Sequence, residues 1–211
     1  MRIAVIQASS QKDKNPLLVK SVESAVKNQG HQVYNFGIFP EETLTYSYVQ
    51  VALQISMLLE SGAVDFAVTG CSSGQGMMLA CNSLPGILCG YVENPSDAFL
   101  FGRINNGNAV SFPLGLNFGW AAEINLQSTM EKLFAAPFGS GYPKEEAARK
   151  TRDAEMLKNI NGICKRSLTE ILPQLEEGLV RSALGRKMVF DFIMEYGTEE
   201  SFKTCLQALV L

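Results

Sequence analysis

The amino-acid sequence predicts an α/β protein: a three-layer α/β/α sandwich, Rossmann-like, on a parallel sheet of about five strands, plus a C-terminal helical extension. Three observations lead there. Apolar runs of strand length alternate with longer segments whose apolar residues recur at helical spacing. That alternation needs right-handed crossovers, which place helices on both faces of a parallel sheet. Beyond Gly139 the strand-like runs stop and only helical periodicity remains.

Each element has a local reason. Arg2–Gln7 has an apolar centre and reads as a strand buried on both faces. Pro16–Gln29 carries apolar residues at 17, 18, 19, 22, 25 and 26, with Pro16 suited to a first helical turn and Gly30 to the end. Gln32–Phe36 is the second strand. Tyr46–Ser61 is helical, with Val49, Ala52, Leu53, Ile55, Leu58 and Leu59 inward and Gly62 after it. Phe66–Thr69 is the central strand, and Met77–Cys81 begins the helix that follows. Ile87–Val92 is a fourth strand, Pro95–Asn105 a helix, Ala109–Phe112 a fifth strand and Ala121–Phe134 a fifth helix. Gly139-Ser140-Gly141-Tyr142-Pro143 breaks the pattern before a charged stretch, Lys144–Lys158. Ser167–Gly178, Leu179–Tyr196 and Glu199–Val210 then read as helices. The expected division is an α/β domain at 1–158 and a helical extension at 159–211, packed on that domain or on a neighbouring subunit.

Composition excludes several classes of function. A chain of 211 residues with 46% hydrophobic content can bury a sizeable core. Its net charge of −3 gives no basic footprint for nucleic acid. Met1 runs at once into a strand, without a charged-then-apolar leader, and no apolar run reaches the roughly 18 residues that span a membrane. Five cysteines (71, 81, 89, 164 and 205) with no CxxC pair suggest reduced thiols in a cytoplasmic protein rather than a disulfide frame or zinc cluster. His31 is the one histidine, which argues against a His-based metal site or a Ser-His-Asp triad.

The chemistry concentrates in Asp65–Asn82, DFAVTGCSSGQGMMLACN. A buried strand runs into Gly70-Cys71-Ser72-Ser73-Gly74-Gln75-Gly76 and on into a helix. Strand, small-residue turn and helix aim several backbone N–H groups at one point, where an anion is favoured. A cysteine at the start of such a turn sits in a field that stabilises a thiolate. The plainer reading is a tight turn with a buried structural thiol. The glycine spacing and paired hydroxyls favour a site. In a parallel sheet, ligands bind beyond the carboxyl ends of the strands, at a switch in strand order. The loops there are 7–15, 37–45, 70–76, 91–95 and 113–119.

A resemblance follows from particular residues. Arg2-Ile3-Ala4-Val5, Gly30-His31-Gln32-Val33, Phe36-Gly37, Ser61-Gly62, Asp65-Phe66, Cys71-Ser72-Ser73-Gly74-Gln75-Gly76-Met77 with Ala80-Cys81-Asn82, Pro85-Gly86-Ile87 and Pro137-Phe138 occur in order. Over residues 1 to about 160 the chain resembles the ribose-5-phosphate isomerase B / galactose-6-phosphate isomerase family of sugar-phosphate isomerases. The resemblance implies interconversion of an aldose phosphate and a ketose phosphate through an enediolate, with no metal and no cofactor. It also implies a homodimer or homotetramer with sites at the subunit interface. Cys71 falls on the family's catalytic base and Ser73 on its loop hydroxyl, with the amides of Ser72, Gly74, Gln75 and Gly76 as the cradle for the enediolate. Tyr46 matches a family tyrosine, and equally suits the first core residue of its helix. Asn82 reads as a polar brace.

The departures bear on the substrate. The family's Asp-His after the first strand is replaced by Ala8-Ser9, followed by Ser10, so Ser9 and Ser10 become the substrate-binding candidates. The His-Asn pair that opens the sugar ring is Asn105-Asn106, and an amide cannot move a proton as imidazole does. The arginine-rich phosphate motif is missing. Lys144, Arg149 and Arg152 are the nearby cations, and Arg103 aligns with a family arginine. The expected function is therefore a cytoplasmic aldose–ketose isomerase of a sugar phosphate. The alternatives are a non-catalytic sugar-phosphate-binding protein and an isomerase of another small hydroxy-carbonyl compound.

Overall fold

The apolar runs identified above become the strands of one sheet: β1 (Arg2–Ile6), β2 (Gln32–Gly37), β3 (Phe66–Cys71), β4 (Cys89–Tyr91) and β5 (Ala109–Pro113). The structure is a computed structural model that describes residues 1–210. All four strand pairings are parallel, in the order β2-β1-β3-β5-β4. The predicted α/β sandwich on a five-stranded parallel sheet is what the chain forms. β3 lies at the centre and all six of its residues are buried, which explains its uninterrupted apolar and small character.

Helices cover both faces. On one face pack α1 (Asn15–Ala25), α4 (Pro95–Leu100) and α5 (Ala122–Leu133), burying Leu18, Val22, Ala98 and Met130 against Ile3, Val5 and Val68. On the other pack α2 (Tyr48–Glu60) and α3 (Gln75–Ser83), burying Leu53, Ile55 and Met77 against Ala4, Ile6 and Ala67. After α4 one π-helical turn spans Phe101–Asn105. The charged stretch becomes α6 (Ala147–Cys164), in which only Ala154 is buried. Four short helices complete the set: α7 (Leu168–Ile171), α8 (Glu177–Leu184), α9 (Lys187–Tyr196) and α10 (Glu200–Val210).

Of these, α7, α8 and α9 lie against the outer side of α2 and α10 against α8, and Leu168, Ala183, Val189 and Ile193 share the core of α2. Phe192 also packs at an angle against two rings of β2, its centroid 4.6 Å from Tyr34 and 5.0 Å from Phe36, the latter edge to face. Arg2 fastens the layers by donating to the Tyr196 carbonyl at 3.0 Å and the Gly62 carbonyl at 2.7 Å.

Element boundaries differ from expectation for local reasons. The helix expected from Tyr46 starts at Tyr48 because Ser47 caps it: its hydroxyl accepts from the Gln50 amide while the Gln50 side chain accepts from the Ser47 amide. The first helix ends at Ala25, ahead of Asn28 and Gly30 in left-handed conformation. The segment expected as one helix over 179–196 breaks between α8 and α9, at Gly185-Arg186.

Candidate active site

β1 pairs with β2 on one side and β3 on the other, so strand order reverses between β1 and β3. Beyond their carboxyl ends opens the crevice in which such sheets bind ligands. Cys71 ends β3 at this point, with 8% of its surface exposed. Its carbonyl accepts the Leu114 amide at 2.9 Å, and the Ser72 carbonyl accepts those of Gly115 (3.0 Å) and Leu116 (2.7 Å). The loop is thereby stitched to the segment that follows β5.

Gly74 turns the loop into α3. It is left-handed, with φ of 73°, and an added Cβ would lie 2.7 Å from the Phe112 carbonyl carbon and 2.8 Å from the Pro113 nitrogen. Only glycine fits. Its carbonyl accepts the Ser111 hydroxyl at 2.6 Å and the Met78 amide at 3.1 Å, the latter starting the helix. The amides of Gln75, Gly76 and Met77 precede that bond and have no acceptor within α3. They give the positive end of the helix next to the thiol-bearing loop.

The loop after β1 supplies the other wall. Gln11 Nε2 donates to Ser72 Oγ at 2.9 Å, and Ser72 Oγ donates to Ser10 Oγ at 3.3 Å. Ser9 and Tyr46 clasp each other: the Ser9 amide donates to the Tyr46 carbonyl at 3.3 Å, and the Tyr46 amide to Ser9 Oγ at 2.7 Å. Tyr46 is only 8% exposed and packs in the same core as Cys71. The ring of Tyr48 lies 3.6 Å from the position a Cβ on Gly76 would take. Ser73 is half-buried and Gln75 exposed.

Tyr91 closes the third side. Its ring approaches within 2.7 Å of where a Cβ on Gly74 would sit, and its hydroxyl donates to the Glu93 carboxylate. Burial, the hydrogen bond to Glu93 and its charge push the phenol up to about 12, with smaller contributions from Asp97 and Cys71. It therefore stays a neutral phenol at any working pH. A cavity of about 370 Å³ next to this wall is lined by Glu93, Asn94, Pro113, Leu116 and Trp120.

Cys81 and Cys89 are both buried. The hydrogen bond with Cys81, followed by burial, pushes the Cys89 thiol well up, which marks it as an inert packing group. Asn82 braces β4: its amide donates to the Cys89 carbonyl at 2.8 Å and its oxygen accepts the Cys89 amide at 2.9 Å.

Cys71, Ser72, Ser73, Gly74, Gln75, Gly76, Ser9, Ser10 and Tyr46 thus gather on one face. The remaining candidates do not join them within one chain. Asn105 and Asn106 lie before β5, at its amino end, whereas Cys71 is level with Pro113 at its carboxyl end. Four strand steps separate the two levels, about 13 Å. Asn105 is exposed and lines a cleft of about 490 Å³ shared with Tyr91, Asp97 and Leu157, while Asn106 ends the π turn in left-handed conformation. Lys144 is exposed, and Arg149 pairs with Glu146 at 2.7 Å and Asp153 at 3.0 Å on α6, which packs on the π turn. Arg103 is buried beneath that turn, donating to the Leu133 carbonyl at 3.0 Å between the rings of Phe99 and Phe138. His31 sits at the amino end of β2, 3.1 Å from the Met1 amino group.

Sequence reasoning did not select Gln11, Tyr91, Glu93 or Arg186. Gln11 directly follows two chosen serines, and that adjacency was the available signal. Tyr91 and Glu93 lie in one of the five expected carboxyl-end loops. Arg186 had no local signal.

A family model described as Ribose/Galactose Isomerase matches residues 3–153. The chain belongs to that family of sugar isomerases. Two solved structures match it over nearly its whole length. One is 4-deoxy-L-threo-5-hexosulose-uronate ketol-isomerase in complex with tartrate, at 36% identity and TM-score 0.94, covering 100% of this chain and 99% of that one. The other is a ribose-5-phosphate isomerase from Vibrio parahaemolyticus, at 37% identity and TM-score 0.93, covering 99% of each. The Trypanosoma brucei type B ribose 5-phosphate isomerase shares the fold at 20% identity and TM-score 0.62, covering 75% of this chain and 97% of its own. The family model stops short of α7–α10, and about a quarter of the isomerase-family member described here has no counterpart in that shorter structure.

Proposed function

We propose that this protein is an aldose–ketose isomerase in which Cys71 carries a proton between C1 and C2, the carbonyl carbon and its hydroxyl-bearing neighbour, through an enediolate. The observation that carries the reading is the junction of the Cys71 loop with the unpaired amides of the first turn of α3. The thiolate removes the proton from the carbon next to the carbonyl and returns it to the neighbouring carbon. The amides of Ser72 to Gly76 and the Ser73 hydroxyl stabilise the negative charge that develops on the oxygens. Ser9, Ser10 and Tyr46 bind the sugar chain. The substrate on this reading is a sugar phosphate of the ribose-5-phosphate or galactose-6-phosphate type, handled without metal in the cytoplasm. Its phosphate is held by Lys144 and Arg149 of a second copy in a homodimer or homotetramer, with Asn105 and Asn106 beside them.

A second substrate class is favoured by one observation. Asn105-Asn106 stands where the family has its ring-opening His-Asn, so an open-chain sugar acid needs no group that this chain lacks. The relative named as a uronate ketol-isomerase makes that class the natural comparison. The test is a panel of ribose 5-phosphate, galactose 6-phosphate and 4-deoxy-L-threo-5-hexosulose uronate, assayed for aldose–ketose conversion. The expected result is turnover of at least one, abolished by Cys71→Ala with the thermal midpoint little changed. Retained turnover in Cys71→Ala would sink the cysteine mechanism. A protein that binds these sugars and converts none would be the sugar-binding alternative.

A further inference from the structure

The break between α8 and α9 delivers Arg186 to the edge of the catalytic face. Its side chain is 5% exposed although it carries a full charge. Nη2 donates to Glu42 Oε1 at 2.6 Å, and Glu42 belongs to the loop after β2. The guanidinium carbon stands 5.1 Å from the Tyr46 ring centroid, a stacking geometry that stabilises a cation with few hydrogen bonds. Nε and Nη1 have no hydrogen-bond partner among the described residues, so Glu42, the Tyr46 ring and the Met188 sulfur, which accepts from Nη2 at 3.7 Å, are what hold the group. Gly37 makes room for it, because an added Cβ there would lie 2.8 Å from both Arg186 Nη2 and Glu42 Oε1. The same loop is held from its other side, where Lys12 Nζ donates to the Glu42 carbonyl at 2.9 Å and Glu42 Oε1 accepts the Phe39 amide at 2.8 Å.

We propose that Arg186 is a positioning residue for the isomerase site, through which the C-terminal helices set the 37–47 loop, Tyr46 and the Ser9–Ser10 turn against Cys71. The route is continuous: Arg186 fixes Glu42 and Tyr46, Tyr46 clasps Ser9, Ser10 meets Ser72, and Ser72 adjoins Cys71. This role rests on the isomerase reading above. It also gives the helices beyond the family model a task in substrate binding.

The experiment compares the full chain with Arg186→Met, Arg186→Lys and Glu42→Gln, with Arg181→Ala, an exposed position on α8, as the control. Two readouts are taken below each variant's melting point: KM and kcat on the turned-over substrate, and hydrogen exchange of peptides covering 38–47. Arg186→Met is expected to raise KM at least fivefold, to lower kcat by less than that, and to speed exchange of 38–47. Arg186→Lys should restore KM in part, and Arg181→Ala should match the parent. If Arg186→Met does not fold, Glu42→Gln, which keeps the arginine and removes its charged partner, carries the same expectation. A folded Arg186 or Glu42 variant with KM within twofold of the parent, or with unchanged exchange at 38–47, overturns the proposal. The exchange arm needs no substrate. A parent protein that isomerises nothing on the panel therefore defeats the functional reading separately from the loop contact.

Discussion

Cys71 and His31 stand at opposite ends of parallel strands, and that separation divides their roles. His31 meets the Met1 amino group and the Phe134 ring, far from the carboxyl-end crevice. Partial burial, followed by the repulsion of the amino-terminal charge, lowers its proton affinity, with Asp65 opposing weakly. A lowered folded-state value means the unfolded chain binds the proton more readily. The stabilising contribution is thus present above the unfolded value of ~6.5 and is lost as pH falls through the lowered one. His31→Gln should therefore keep kcat within a few-fold and should flatten the fall of the melting temperature on the acid side. Thermal melts at stepped pH, with rates measured alongside, check both. At the thiols, limiting iodoacetamide followed by mass spectrometry should label Cys71 first of the five, although it is buried like Cys81 and Cys89 while Cys164 is exposed; preferential labelling at Cys164 or Cys205 would sink the reactive-thiol reading. The Cys71 loop was legible in the sequence because its parts are contiguous: strand, turn and helix read off one stretch. Arg186 was not legible, because its neighbours Glu42 and Tyr46 come from more than a hundred residues away and only folding joins them.

Among the elements, the turn from β3 to α3 has no room for a side chain at Gly74. Gly30 and Gly74 share nearly the same left-handed φ, 71° and 73°, but nothing lies within 4 Å of a Cβ added at Gly30. Gly30→Ala should therefore cost about 1–2 kcal/mol, the penalty of the backbone conformation alone. Gly74→Ala adds a collision with the backbone of Phe112 and Pro113, so it should lose activity and more stability than Gly30→Ala in denaturant titrations. Ser47→Ala removes the cap of α2 and should lower stability by about 1 kcal/mol in denaturant titrations. Strands and helices were readable because their periodicity is local. Their ends were not, since Ser47 competes with Tyr46 for the start of α2 and the left-handed Asn28 unwinds the first helix early.

At the scale of the molecule, the candidates fall into two groups that one chain keeps apart: the Cys71 face, and the region of Asn105, Lys144 and Arg149. Next to the second group, α6 exposes Met156, Ile160 and Ile163 along one stripe, 57%, 55% and 75% accessible. On the proposed assembly these two regions meet across a subunit contact. Light scattering at micromolar concentration should then give a dimer or larger, and Ile160→Lys should weaken it. A sharper check mixes two inactive proteins, Cys71→Ala and the double variant Lys144→Ala/Arg149→Ala, under conditions of subunit exchange. Regained activity is expected from a shared site, and none would be regained if each chain held a whole one.

The burial of α2 by α7, α8 and α9 also constrains how the protein is made. Residues 48–60 leave the ribosome more than a hundred residues before the helices that cover them. At about 5–20 residues per second, that apolar surface waits on the order of ten seconds for its partner. The sheet can pair during this interval while one side of α2 stays bare. Nascent chains arrested near residue 165 should accordingly be captured by holdase chaperones, and chains arrested well past 210 plus an exit-tunnel spacer should escape them. The last helices would then act as the step that ends the protein's exposure during synthesis.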